Sequence, residues 1–361
     1  MAFNLESYIK VKKEYFLQGM FVEGEVYFLN KDSAVLLCRN CIITKDILER
    51  LSNYEEFSGY LYVEKEAADG IIQQYEYFAN NETYILNDYV KYEEQVKEVF
   101  DEVYASGALS SNKTKRLAKQ IQNMVNFVDA SLLVQCTTYL RDTSEYLYQH
   151  SMSVAMINGL MAKWLKLSKT DSERLILAGL LHDIGKIKIP IPILDKPDVL
   201  TEEEFRIIKL HPLFSVDLLK DAGLGDEEIC AAVRGHHEKM NGAGYPDGLV
   251  GSQLSLFTKI TTISDIYDAM VAKRTYKEAV SPLEVLHLFG MQKYSELDIE
   301  LVETFLDMMT EEFKGKRVIL SDGSFAVIKF IDKAQFMFPL VEVNGKVIQL
   351  NKDLRCVAVC E

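Results

Sequence analysis

The chain is 361 residues long, 48% hydrophobic and 26% charged, with a formal net charge of −14. That length predicts two or three domains, and the composition is that of a water-soluble globular protein. The acidic balance argues against a nucleic-acid polymer as partner, because holding a phosphate backbone wants net Lys and Arg. A small phosphorylated ligand remains allowed, since bound metal ions can reverse the field inside one pocket. The first residues, MAFNLESYIKVKKEYF, show no basic segment leading into an apolar core, so no secretory signal is expected. No stretch is continuously apolar over the length a membrane-spanning helix needs, so no span is expected. The six cysteines are then expected as free thiols in a cytoplasmic protein.

In chain order, residues 1–86 read as a small mixed α/β domain with a regulatory or dimerising role. A second copy of the chain or a signalling protein is its expected partner. Residues 22–29 and 33–37 are β-rich, separated by a turn at Asn30-Lys31-Asp32. Residues 43–51 read as a short helix with Thr44 as its candidate N-cap, and 59–63 as a further strand. Cys38 and Cys41 have zinc-knuckle spacing and could clamp a zinc with Cys356 and Cys360. Buried or edge-strand thiols are the better reading, because both pairs sit in apolar, strand-like surroundings.

Residues 87–112 read as a helical linker, and 113–313 as helical almost throughout, with apolar residues recurring at three and four. Candidate helices are 131–140, 144–165, 168–179 continuing to 185, 201–209, 212–222, 226–237, 253–273 and 281–289. Thr170 to Glu173 and Thr201 to Glu204 both have capping-box spacing. Residues 314–361 read as a small β-meander, with Asn344-Gly345 as a type I′ hairpin turn. The expected fold is multidomain: a mainly α-helical bundle flanked by a small N-terminal α/β domain and a C-terminal β-meander.

Five of the six histidines fall between positions 150 and 237: His150, His182, His211, His236 and His237. Asp183 directly follows His182, and Asp265 lies downstream. Singly, each has an ordinary reading: His150 as a core histidine, His211 before Pro212 as a helix start, His236-His237 as a helix end. Together they are too many ligands for one ion. Imidazole and carboxylate suit first-row metals, and this number fits a dinuclear site with positions left open for water and substrate. His287 and Trp164 read as packing residues. Glu238 has two readings, an orienter of a ligand imidazole or a solvated helix-end residue.

His182-Asp183 with His150 upstream and Asp265 downstream resembles the HD superfamily of metal-dependent phosphohydrolases. His236-His237-Glu238 followed by Gly244-Tyr245-Pro246 narrows the resemblance to the HD-GYP subfamily, over about residues 113–313. It implies a helical bundle around a dinuclear or trinuclear iron or manganese site. It also implies hydrolysis of cyclic dinucleotides, chiefly cyclic di-GMP, to linear pGpG or on to GMP. Carried over by motif, Asp183 bridges two ions. His182, Asp265 and His150 complete one side, and His211, His236 and His237 the other. Lys186 contacts the scissile phosphate, Arg274 and Lys277 hold ligand phosphates, and Tyr245 and Pro246 shape the neighbouring loop.

The implied reaction is attack of metal-bound hydroxide on phosphorus, with Asp183 and Lys186 as the catalytic groups. Lys186 and Arg274 also have plainer readings, a helix C-terminal cation and a surface ion-pair partner. The alternatives to a cyclic di-GMP phosphodiesterase are an HD hydrolase of another cyclic dinucleotide and a non-catalytic signalling adaptor. Two positions depart from the family pattern. Trinuclear relatives carry a Glu one turn before the first His, where this chain has Tyr146, with Glu145 on another face; two ions are expected rather than three. The acidic residue usual before Gly-x-Gly-Tyr-Pro is Asn241, which suits a turn equally well.

Overall fold

The computed structural model describes residues 8–12, 21–22, 26–28, 34–37, 41–42, 60–65, 68, 71, 81–128, 146–271, 282–292, 296–322, 324–333 and 335–359. The chain divides into two compact units, Met1–Asp88 and Tyr89–Glu361. In the first, strands β1 (Tyr8–Lys12), β3 (Val26–Phe28), β4 (Ala34–Leu37) and β6 (Tyr60–Glu64) form an antiparallel sheet in the order β1-β6-β3-β4. Strands β2 (Phe21–Val22) and β5 (Cys41–Ile42) form a separate pair. Strand β1 escaped the sequence reading, and it pairs along its whole length with β6. The helix expected at 43–51 and the turn at 30–32 lie outside the described residues.

Helix α1 (Asn81–Ser106) carries the chain across the division between the units. The second unit continues with α2 (Ser111–Phe127), α3 (Tyr146–Trp164) and α4 (Lys169–Leu181). Then come α5 (Ile191–Leu194), α6 (Glu202–Ile208), α7 (His211–Asp221) and α8 (Glu227–Gly235). The last helices are α9 (Leu256–Val271), α10 (Pro282–Gln292) and α11 (Ile299–Phe313). Helices α3 and α4 are the heart of the bundle. Met152, Val154, Met156, Leu160 and Met161 of α3 are sealed from water, as are Leu175, Ile176, Leu180 and Leu181 of α4. Apolar burial of this kind contributes roughly 1.5–3 kcal/mol per large side chain and drives the bundle together. Asn158, buried between the helices, donates to the Leu175 carbonyl at 2.9 Å and to Thr261 Oγ1 at 3.1 Å, tying α3 to both α4 and α9.

Helix starts follow their caps. Ser168 Oγ, not Thr170, accepts from the Asp171 N–H at 3.0 Å, so the box expected at Thr170–Glu173 is not the one used. Thr170 is already inside the helix, whereas Ser168 has the extended ψ of 155° that turns its oxygen back on the first turn. The box expected at Thr201 and Glu204 is present in full. Glu204 also takes Lys196 Nζ at 2.7 and 2.8 Å. That cation, and then the Thr201 N–H, push the Glu204 carboxyl down to about 2. A depressed carboxylate contributes stability that is present above its unfolded value and fades as pH falls from there toward the folded one. The Glu204 side chain is therefore expected to titrate near pH 2 by NMR; a midpoint at the ordinary glutamate value of 4.5 would sink both contacts.

The helix read as 168–185 ends earlier. It stops at Leu181, and Ile184–Lys188 form a tight 3₁₀ turn after Asp183, which sits at φ −102°, ψ 1°. Ser215 of α7 explains the break. Its hydroxyl donates to the His182 carbonyl at 2.9 Å and accepts from the Gly185 N–H at 2.8 Å, taking up backbone groups the ending helix frees. Gly185 lies so close to α7 that a Cβ there would stand 2.1 Å from the His211 carbonyl oxygen.

The C-terminal strands β7 (Arg317–Leu320), β8 (Phe325–Phe330), β9 (Leu340–Val343), β10 (Lys346–Gln349) and β11 (Cys356–Val359) form an antiparallel sheet in the order β10-β9-β8-β7-β11. Asn344 and Gly345 both have positive φ, 49° and 78°, as the expected type I′ turn requires. Strand β11 escaped the sequence reading; it closes the far edge, and its Cys356 is buried. Cys38, Cys360 and the Cys41 side chain lie outside the described residues.

Candidate metal centre

Three of the five histidines sit where a helix stops. His182 follows the last residue of α4, His236 follows the last residue of α8, and His211 comes just after α6. Each uses the carbonyl three residues earlier, in a helix's last turn, where carbonyls lack an intrahelical partner. His182 Nδ1 meets Gly179 O at 2.7 Å, His211 Nδ1 meets Ile208 O at 2.7 Å, and His236 Nδ1 meets Val233 O at 2.8 Å. A carbonyl can only accept, so each Nδ1 carries the proton and each Nε2 presents a lone pair. His150 is inside α3 and its Nδ1 meets the buried Asp268 Oδ2 at 2.7 Å instead.

The lone pairs converge. His211 and His236 face each other Nε2 to Nε2 at 3.2 Å, as do His150 and His182. Two unprotonated nitrogens at that distance repel unless a cation lies against both. Asp183 stands between the pairs: Oδ1 is 3.1 Å from His211 Nε2 and 3.7 Å from His236 Nε2, and Oδ2 is 3.5 Å from His182 Nε2 and 3.6 Å from His150 Nε2. Asp183 Oδ1 is buried and has no hydrogen bond. Asp265 Oδ1 is 3.0 Å from His150 Nε2, and its Oδ2 is 3.7 Å from His237 Nδ1. Two groups have ligand atoms all within 4.8 Å of one another: Asp183, His211, His236 and His237, and His150, His182 and Asp183. Facing imidazole lone pairs and an orphaned carboxylate oxygen, all nearly sealed from water, are a donor set that fits metal ions.

The electrostatics suit the same purpose. Burial pushes His182 and His236 below the ordinary imidazole value, and takes His237 down to about 4, so these rings are neutral near pH 7. Burial alone would raise the Asp183 carboxyl, but Lys186 and the surrounding imidazoles hold it well below the usual carboxylate range. Lys186 Nζ lies 2.5 Å from Asp183 Oδ2, on the 3₁₀ turn. The Tyr245 ring stacks at 4.7 Å on His237, and burial, with Asp183 and Asp265 nearby, raises its phenol so that it stays protonated.

The Gly-Tyr-Pro loop is built on Glu238. That side chain is buried, and its carboxylate accepts from the N–H groups of Asp247 (2.6 Å), Gly248 (3.0 Å) and Leu249 (3.0 Å). Glu238 is therefore neither an imidazole orienter nor a solvated helix end: it is the peg around which residues 245–249 turn. Gly244 allows the close approach, since a Cβ there would lie 2.4 Å from Glu238 Cα. Asn241 Oδ1 accepts from the Ala243 N–H at 3.0 Å, closing the turn before it. The Tyr245–Pro246 bond is cis.

The structure thus gathers His150, His182, Asp183, Lys186, His211, His236, His237, Tyr245 and Asp265. Arg274, Lys277, Glu145 and the Tyr146 side chain lie outside the described residues. Trp164 and His287 are half-buried, and Trp164 Nε1 donates to Glu312 Oε1 at 2.9 Å. Sequence reasoning missed Asp268. The signal was its place three residues after Asp265, on the same face of α9. Carboxylates that fix a ligand imidazole typically set metal affinity by 10–100-fold. Asp268→Ala is expected to weaken metal binding by roughly that factor in a chelator competition; unchanged affinity would rule out the orienting role.

Comparison with known proteins agrees with this geometry. Residues 135–301 match the HD domain family. The chain is 31% identical over 204 residues to the cyclic di-GMP phosphodiesterase PA4108 of Pseudomonas aeruginosa, covering 56% of this chain and 49% of that protein. It is 36% identical over 174 residues to 3′3′-cGAMP-specific phosphodiesterase 3 of Vibrio cholerae, covering 47% and 37%. It is 40% identical over 151 residues to the cyclic di-GMP phosphodiesterase response regulator RpfG of Xanthomonas campestris, covering 42% and 40%. The chain spans about half or less of the length of these relatives. In architecture it is similar to Bd1817, an HDG"Y"P protein from Bdellovibrio bacteriovorus, with a TM-score of 0.51 at 17% identity, covering 84% of this chain and 99% of that one. The stretch that matches the HD domain family, residues 135–301, contains every residue of the two ligand clusters.

Proposed function

We propose that the chain is a metal-dependent phosphodiesterase that hydrolyses cyclic di-GMP to linear pGpG. The observation that carries this reading is the pair of facing Nε2–Nε2 contacts on either side of Asp183, which supports a place for a cation on each side. Iron or manganese suits the mixed imidazole and carboxylate donors. His150, His182 and Asp265 would hold one ion, His211, His236 and His237 the other, with Asp183 shared. Bound there, such ions supply a clamp for phosphate oxygens and a water acidic enough to react near neutral pH.

The chain's own groups do the rest. Asp268 fixes the His150 tautomer, and the three last-turn carbonyls fix His182, His211 and His236. Lys186 brings positive charge to the edge of the centre, where a phosphate gaining charge is stabilised. Glu238 holds the loop that carries Tyr245 and Pro246 beside His237. Arg274 and Lys277 are assigned to the remaining ligand phosphates. The unit Met1–Asp88 supports a regulatory or dimerising role for the N-terminal residues.

The likeness to a cGAMP-specific phosphodiesterase favours one second reading, a hybrid cyclic dinucleotide as substrate. Protein loaded with iron or manganese is expected to linearise cyclic di-GMP faster than 3′3′-cGAMP, read by product chromatography. Faster turnover of the hybrid would reassign the substrate. No turnover of either, with metal measured in the protein, would leave a binding module.

A further inference from the structure

A second cavity lies away from the metal centre. It has a volume of about 570 Å³ and opens where α2, the first turns of α4 and the turn between α7 and α8 meet. Its inner wall is apolar: Leu177, Leu224 and Ile229 line it and are each at least nine-tenths buried. Its rim is cationic. Lys115, Arg116 and Lys119 project from one stretch of α2, and none of them makes an ion pair or hydrogen bond with any described residue. On the opposite side Arg174 is clamped by Asp171 at 2.9 Å and by Asp226 at 2.5 Å, so that cluster carries one net negative charge. Glu173 is the other carboxylate of the lining. The α2 cations therefore leave the rim net positive, on a chain whose formal charge is −14.

Three cations without ion-pair partners among the described residues stand together over a buried apolar wall, and a concave apolar site of this size with convergent charge is what small-ligand pockets look like. The cavity is separate from the metal centre. Its lining on α4 runs from Thr170 to Leu177 and includes no residue of the metal centre; Leu177 lies about 7.5 Å of helix rise before His182. No aromatic ring is among the described lining residues, so nothing offers a nucleobase the stacking platform it would want.

We propose that this cavity binds a small organic anion, an apolar aryl or aliphatic body bearing a carboxylate, sulfonate or phosphate. The body lies against Leu177, Leu224 and Ile229, and the anionic group sits at the rim among Lys115, Arg116 and Lys119. The site stands independently of the phosphodiesterase reading, because none of its residues belongs to the metal centre.

The test uses two probes with the same apolar body: anilinonaphthalene sulfonate, and neutral phenylnaphthylamine, which lacks the sulfonate. Both are titrated by fluorescence against the full chain and against the double variant Arg116→Glu, Lys119→Glu, two exposed positions. The sulfonate probe is expected to saturate at one site per chain and to bind the variant roughly tenfold more weakly. The neutral probe is expected to bind both proteins alike. Equal binding of the sulfonate probe to the two proteins, no saturable binding to the unaltered chain, or a parallel loss of both probes would each overturn the proposal.

Discussion

Asp183→Ala is expected to lower cyclic di-GMP turnover by more than about 100-fold, the upper end of what a lost outer carboxylate costs, because this residue would touch the ions directly. Among the described residues, Asp183 is the one charged side chain within 3.7 Å of all four facing imidazole nitrogens. Without it, two neutral lone-pair clusters remain with no negative charge shared between them, and both are expected to lose metal. Elemental analysis should read less than one ion per chain, against an expected two for the unaltered protein. The fold is expected to survive, because Lys186, the partner left behind, has 22% of its side chain in water and can turn outward. Circular dichroism checks that point. Asp183→Asn keeps the volume and removes the charge; if it retained metal and turnover, the bridging role would fail.

Gly185→Ala is the second large effect, and it acts through packing. The added Cβ would lie 2.1 Å from the His211 carbonyl oxygen and 2.5 Å from the Ser215 nitrogen, both backbone, so nothing flexible can give way. Overpacking against flexible neighbours costs roughly 1–3 kcal/mol, and a rigid contact this short belongs at or beyond the top of that range. For a unit of this size, about 3 kcal/mol corresponds to a fall of roughly 6–12 °C in Tm. Turnover should fall as well, because the displaced turn carries Asp183 and Lys186. Gly290→Ala is the control: a Cβ there meets nothing closer than 3.5 Å, and in a helix the change is expected to be neutral or slightly stabilising. Equal melting temperatures for Gly185→Ala and the unaltered chain would show that the turn does not rest on α7 this way.

The parts of this molecule legible in its sequence are those whose signal is local or compositional. The histidines could be picked out because metal ligands are chemically distinctive and rare here, six in the whole chain. The Asn344-Gly345 turn was legible because two consecutive positive φ values demand those residues. What stayed hidden depends on contacts through space. Glu238 looks like any helix-end acid until the loop nine to eleven residues later folds back onto it. Asp268 acquires its role from a histidine 118 positions earlier. The early end of α4 is set by a serine on another helix, and Thr170 lost its capping role to Ser168 because two plausible capping oxygens lay two residues apart. The basic rim on α2 is an ordinary helix face by pattern; only the fold sets it over an apolar wall.

The anchoring of three imidazoles on last-turn carbonyls has a kinetic consequence. Each ring is aimed by the last turn of the helix just before it, so its orientation is set by contacts only three residues away. His150 is the exception, since its aim depends on Asp268 across a loop of more than a hundred residues. Loop-closure entropy grows with the length closed, so contacts of that span tend to come late. The His211–His236 side, spanning 25 residues, can therefore assemble before the His150–Asp268 side does. An ion captured early on that side would act as a template, and loading the two positions would become an ordered process coupled to folding itself.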